Sequence, residues 1–197
     1  MKQEVSDRFD LNIKRVENLV LIYRRQGSGG RSGRRGHQET DVLRAAAVLL
    51  HASLEDVLRS LAYWKLPSAS ASVLEKVPLV NGTGLKFTLG ELSVHRGKTI
   101  EEIIKASTDA SLERSNYNNA HEVGSLLVSI GLNVAPLSGH MSTLDSAMKR
   151  RHLIVHRADA NPNSGRGNHL VASISPQNLD GWIQNTKDFV KAVLIQV

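Results

Sequence analysis

Lys149-Arg150-Arg151-His152-Leu153-Ile154-Val155-His156-Arg157 sets three successive cations and two histidines around an apolar triplet. The fold turns on whether this stretch is helical, and its surroundings say that it is. Leu144, Met148 and Val155 continue one helical face, Ser142 and Asp145 offer an N-cap and an acidic third position, and Asn161-Pro162 closes the pattern downstream. At about 100° per residue, Lys149, His152 and His156 share a face, whereas Arg151 falls nearly opposite, among the apolar residues. An arginine in an apolar stripe must satisfy its charge with a carboxylate, a phosphate or the far side of an interface, because an unpaired buried cation costs several kcal/mol. Arg151 and His156 of one chain therefore do not aim at one atom. Either the helix distorts near His156, or two copies of it face each other and complete one site together.

Working outward, most of the chain reads the same way. From residue 3 to about 25, Val5, Phe9, Ile13, Val16, Val20 and Tyr23 recur at steps of three and four, the mark of an amphipathic helix. Residues 24–36 hold no apolar side chain and five glycines. Burial there cannot repay the entropy of ordering, so a mobile basic loop is expected over 24–37. It is read either as a plain tether or as an arm gripping phosphates without sequence preference, through Arg31, Arg34 and Arg35. It lacks the spacing of a phosphate-binding glycine loop. A long helix follows from about Asp41 to Leu66, with Val42, Ala46, Leu49, Leu50, Leu54, Val57, Leu58 and Leu61 on its apolar face and Pro67 ending it. Residues 68–98 give mixed signals, and Thr88-Leu89-Gly90-Glu91 can open either a short helix or a hairpin. Thr99 and Glu102 form a capping box for a helix over roughly 100–107. Another helix runs from His121 to Ile130 and is closed by Gly131. Residues 158–175 read as loop with room for a short extended piece at Leu170-Val171-Ala172. Ser175-Pro176 then starts a last helix carrying Leu179, Trp182, Ile183, Phe189, Val190, Val193 and Leu194. The expectation is one all-α domain over residues 1–197, a bundle of five or six helices with an irregular middle and no internal repeat. Trp64 and Trp182 are assigned to the core or to a dimer interface.

Composition narrows the function classes. Within 197 residues, 25 Lys+Arg against 19 Asp+Glu leave a net charge of +6, which favours a polyanionic partner, nucleic acid before acidic protein. Aromatics at 4% disfavour a sheet platform that stacks bases, so nucleic acid would be met by charge and helices. No recognition helix for reading DNA bases stands out. Cysteine is absent, which excludes disulfides and Cys-ligated zinc or iron–sulfur sites and fits a reducing cytoplasm. The charged N-terminus is no signal peptide, and no run of about 18 apolar residues offers a membrane span.

The spacing Arg151-x4-His156, with the polar His152 after the arginine, resembles the Arg-x4–6-His motif of the HEPN superfamily. The order of helices is similar as well: an amphipathic first helix, a long second helix reading His51-Ala52-Ser53-Leu54-Glu55-Asp56-Val57-Leu58, a variable middle, the motif helix and a closing helix. The look is closest to the ribonuclease-like HEPN groups of bacterial conflict systems. That resemblance implies an all-helical, mostly dimeric, metal-independent endoribonuclease without a cofactor. It further implies a toxin or antiphage effector in the cytoplasm, restrained by an antitoxin or sensor protein. His156 would be the general base or acid, and Arg151 would hold the scissile phosphate. His152 would orient the pair or grip phosphate, and Lys149, Arg150 and Arg157 would attract RNA backbone. Products would be a 2',3'-cyclic phosphate and a 5'-hydroxyl. Arg150-x5-His156 also meets the looser spacing; the apolar position of Arg151 favours the latter. A carboxylate on the second helix, Glu55 or Asp56, is expected to hold Arg151.

Blander readings stay open beside this one. His156 and the Lys149-Arg150-Arg151 run can simply be cations favoured by the negative end of a helix dipole. Asp145 and Lys149 can form a weak surface pair. His152 and His156 can ligate a metal as an i, i+4 pair, although no local carboxylate joins them. The chain as a whole can be a non-catalytic module that binds RNA or a partner protein, or a regulator with no nucleic-acid role.

Overall fold

The computed structural model describes residues 1–26, 37–82, 84–161 and 170–197. Among these the protein is all-helical. The elements are α1 (Lys2–Gln26), α2 (His37–Lys65), α3 (Ala71–Leu74), α4 (Leu89–Ser93), α5 (Ile100–Glu113), α6 (Ala120–Ser129), α7 (Ser138–Arg157) and α8 (Pro176–Ile195). Short 3-10 turns at Leu66–Ser68 and Ala135–Leu137 lead out of α2 and into α7. Two of the eight helices, α3 and α4, are only four and five residues long, which leaves six substantial ones, within the five or six expected from periodicity.

The core is built by α1, α2, α7 and α8. Every residue of the expected α1 stripe is buried, from Val16 at 0% exposure to Tyr23 at 7%. Arg8 near the start of α1 bonds Asp56 and Ser60 near the end of α2, so the two helices run antiparallel. Helix α8 closes the bundle. Phe189, Leu179 and Val193 are fully buried, while Lys187 and Asp180 on its outer side pair with Glu17 and Arg24 of α1. Burying each such aliphatic or aromatic side chain contributes about 1.5–3 kcal/mol, which is what holds helices of modest intrinsic stability in place.

Four boundaries differ from the sequence reading. The 24–37 loop is shorter at both ends, because Arg24 and Arg25 belong to α1 and α2 begins at His37. Cations in the last turn suit the helix dipole, and the Arg24–Asp180 pair fastens them to α8. The remainder of that loop, with Arg31, Arg34 and Arg35, lies outside the described residues. Helix α5 continues past residue 107 to Glu113, since Leu112 is buried at 3% exposure and draws the last turn inward. Helix α7 begins at Ser138, not after Ser142. The 3-10 turn carrying Pro136 delivers the chain already helical, so no side-chain cap is made.

The described residues of 68–98, where the sequence gives mixed signals, form turns and short helices beside α5. Thr88 and Glu91 make a capping box, so that sequence opens a short helix and not a hairpin. Val80 donates to the Ser107 hydroxyl at 3.0 Å and accepts from His95 at 3.2 Å, which ties the segment to α5. Between them lies an apolar cavity of about 440 Å³ lined by Leu79, Phe87, Ile103 and Thr108. Gly131, at φ 80°, takes the left-handed position that ends α6, as expected. Trp182 packs partly buried against the core, whereas Trp64 is 37% exposed beneath the Lys65 ammonium. No described helix is long and apolar enough to cross a membrane.

Candidate functional site

Helix α7 presents three different faces along the opening stretch. Leu144 and Met148 are buried at 1% and 2% exposure and fix the helix against α2 and α8. On the solvent face, the rings of His152 and His156 stand 4.6 Å apart, and Lys149 is exposed and paired with Asp145 at 2.6 Å. That pair holds the Asp145 carboxyl below its usual range. Arg157 is also exposed. Val155, at the end of the stripe, is 47% exposed, so the buried face runs out before the last turn.

The two candidate arginines have different surroundings. Arg150 donates to the Asp159 carboxylate at 2.6 Å and to the carbonyls of Ala172 and Ser173 at 3.1 Å. Asp159 is wholly buried and also receives Arg44 of α2 at 2.8 Å. Arg44 completes its bonding with Thr40, Asp41 and the Ala172 carbonyl. This Arg44–Asp159–Arg150 clasp binds α2, α7 and the segment before α8. It sits where Ala158 and Asp159 adopt left-handed backbone, φ 46° and 57°, a conformation that costs a non-glycine residue about 1 kcal/mol or more and persists only when its surroundings enforce it. The Asp159 amide returns to the Leu153 carbonyl at 3.0 Å, ending the helix just beyond His156. An antiparallel bridge between Ala160 and Val171 then forms at the expected extended piece.

Arg151 meets no carboxylate among the described residues. One terminal NH reaches the Asn118 side-chain oxygen in the α5–α6 linker at 3.4 Å, a long bond, and its Nε is buried without a partner. The expected Glu55–Arg151 pair is therefore corrected. Glu55 pairs with Arg59 one turn along α2, at 2.8 Å, and Asp56 points the other way to Arg8 at 2.6 Å. The i, i+4 partner outcompetes the distant one because both groups already lie on one helix face.

His51 lies beside Glu55 and feels the charge of Arg151. It is 6% exposed, neither ring nitrogen has a hydrogen-bond partner, and Nε2 lies 3.7 Å from a Glu55 oxygen. Burial, followed by the Arg151 charge, pushes its pKa down to about 4, with Glu55 opposing. A ring of contacts continues from there. Arg59 donates to the Leu112 and Ser115 carbonyls, each at 2.6 Å, and lies 5.8 Å from the Tyr117 ring. Tyr117 is buried with an unpartnered hydroxyl, and burial raises its pKa. Its neighbour Asn118 leads back to Arg151. Sequence reading missed His51, Tyr117, Asn118 and the clasp members Arg44 and Asp159. The available signal was a histidine on the α2 apolar face, in line with Leu54 and Leu58.

Within this chain, then, His152 and His156 come together on the surface, while Arg151 turns toward α2 and the α5–α6 linker and Arg150 is consumed by the clasp. Among the described residues no group of three or more His, Asp or Glu side chains is placed to hold a metal ion. No curated protein and no solved structure gives a match. Residues 10–197, however, match the RiboL-PSP-HEPN family. With its helix order, its all-helical bundle and that match across nearly the whole sequence, the chain belongs to the RiboL-PSP-HEPN family of the HEPN superfamily, a membership that points to a nuclease or RNA-binding module.

Proposed function

We propose that the protein is a metal-independent endoribonuclease whose site is completed across a homodimer, each half contributing Arg151 and His156. The observation that carries this is the contrast between the adjacent arginines. The charge of Arg150 is answered by the Asp159 carboxylate and two carbonyls, whereas Arg151 meets no carboxylate among the described residues and makes one long bond to Asn118, which leaves its charge for a phosphate. Family membership and the exposure of His152 and His156 support the same reading. In the reaction, one histidine removes the ribose 2'-hydroxyl proton, the 2'-oxygen attacks the adjacent phosphorus, and the 5'-oxygen leaves with a proton from a histidine acid. The Arg151 guanidinium holds the phosphate and offsets the negative charge that grows in the transition state. His152 steadies His156 or grips phosphate, and Lys149 and Arg157 draw in RNA backbone. Products are a 2',3'-cyclic phosphate and a 5'-hydroxyl, so DNA is not cut. The biological role that fits is a toxin or antiphage effector, restrained by a partner protein.

Incubation with tRNA and total RNA in EDTA tests the reading. Wild type cuts and His156→Ala does not. Equal cutting by both refutes the assignment of His156, and cutting by neither leaves a non-catalytic RNA- or protein-binding module.

A further inference from the structure

His51 has no stability argument in its favour. A buried polar atom left without a partner costs about 1–3 kcal/mol, and both nitrogens of this imidazole are in that condition on a helix face otherwise given to Leu50, Leu54 and Leu58. A leucine there would pack without that cost. What the position does supply is a chemical complement. The Arg151 Nε is a buried donor lacking an acceptor, and His51 is a buried ring lacking a donor. The two lie close enough that the Arg151 charge is the second-largest influence on the proton affinity of His51. With Nε2–H turned toward Glu55, 3.7 Å away, Nδ1 is left as a bare acceptor. Glu55 is itself held by Arg59, and Arg59 by the Leu112 and Ser115 carbonyls, so the ring has a rigid support behind it.

We propose that His51 is a positioning residue for Arg151: its uncharged ring, backed by Glu55, accepts the Arg151 Nε–H and so aims the terminal NH groups at the scissile phosphate. The inference rests on the ribonuclease reading given above. It also restores a link between the second helix and the motif arginine, with the imidazole between the two charges in place of direct contact. The neutral form is essential, since a protonated ring would have no acceptor and would repel the guanidinium. Burial and Arg151 both favour that neutral form. The charged groups that act on the ring are Glu55 from α2 and Arg151 from α7, while the Tyr117–Asn118 corner of the α5–α6 linker contacts Arg59 and Arg151.

The test compares His51→Leu and His51→Gln in the full-length protein. His51→Leu is expected to melt at or above the wild-type temperature yet lose at least about tenfold in kcat with little change in KM, because an aiming fault acts in the transition state. His51→Gln, which keeps an acceptor, recovers part of that loss and serves as the readable variant if the leucine chain does not fold. A wild-type kcat in either His51→Leu or a folded variant without an acceptor overturns the proposal. A second arm needs no RNA: the His51 ring is titrated by NMR in wild type and in Arg151→Met. Loss of the guanidinium raises the His51 pKa if the two are paired, and an unmoved value overturns the pairing. If wild type cuts no RNA, the ribonuclease reading fails by itself, and the titration still decides whether His51 and Arg151 form a unit.

Discussion

Arg150 and Arg151 are neighbours in sequence and opposites in environment. Around Arg150 the buried charges are matched: Asp159 takes two guanidiniums, and the same Arg150 terminal nitrogen also reaches the carbonyls of Ala172 and Ser173, which leaves the Arg150 Nε and one Asp159 oxygen without partners. Around Arg151 no carboxylate among the described residues answers the guanidinium, and its unpartnered Nε is joined by unpartnered nitrogens on His51 and an unpartnered hydroxyl on Tyr117. The first region is what a fold requires of buried charge. The second is what a fold avoids unless something else is gained, and it holds Arg151, the arginine proposed above to grip the phosphate.

The contrast breaks first at Asp159. Replacing it with alanine leaves Arg44 and Arg150 buried without an anion and is expected to cost about 3–5 kcal/mol in urea unfolding, with α7 fraying beyond Leu153. A loss below about 1 kcal/mol would mean that the clasp is not structural. The next effect is one of pH. The folded value of His51 is lowered from 6.5 to about 4, so between those values the unfolded chain binds a proton that the folded chain refuses. Stability owed to this group is therefore untouched above about pH 6.5 and declines as pH falls toward 4, by at most on the order of 3 kcal/mol. His51→Leu should flatten that limb, as read from unfolding midpoints at neutral and acid pH.

A direct comparison of the arginines comes third. Arg150→Met is expected to destabilise by about 2 kcal/mol through the lost charge-assisted bonds, whereas Arg151→Met stays within about 1 kcal/mol of wild type while RNA cleavage falls at least about a hundredfold. Equal stability losses would erase the distinction between the two regions. The smallest effect sharpens the second region from outside. Asn119 caps α6 by accepting the Glu122 amide at 2.9 Å, next to the Asn118 that touches Arg151. Asn119→Ala should cost about 1 kcal/mol and, by loosening that corner, raise the mobility of Arg151 in NMR relaxation.

Much of the bundle was legible because burial follows period. The α1 stripe, the α2 apolar face and the α8 face were each readable from spacing alone, and they are the residues that make the core. Helix ends were less so: Ser142 and Asp145 mark a start for α7, but the helix begins at Ser138 because the Pro136 turn enters the bundle already helical, which local spacing does not encode. The divergence of Arg151 from the two histidines followed from helical angle. The surroundings of Arg151 did not, because Glu55 had a nearer cation in Arg59 and because Asn118 reaches it only through tertiary packing. His51 was visible as one polar residue on an apolar face, a departure whose meaning appears only when the neighbouring guanidinium is in view.

One small contact has a practical side. The Asn161 amide and the Leu170 carbonyl meet at 2.8 Å, beside the Ala160–Val171 bridge and above the clasp. The chain that leaves α7 thus comes back to its point of departure before α8 begins. Closing a longer excursion from a fixed neck costs little extra entropy, roughly 0.6 kcal/mol per doubling of length. Extra residues spliced between Asn161 and Leu170 should be carried without moving either helix. A fluorescent or affinity insert at that point would report from beyond the C-terminal end of α7 while the bundle stays intact.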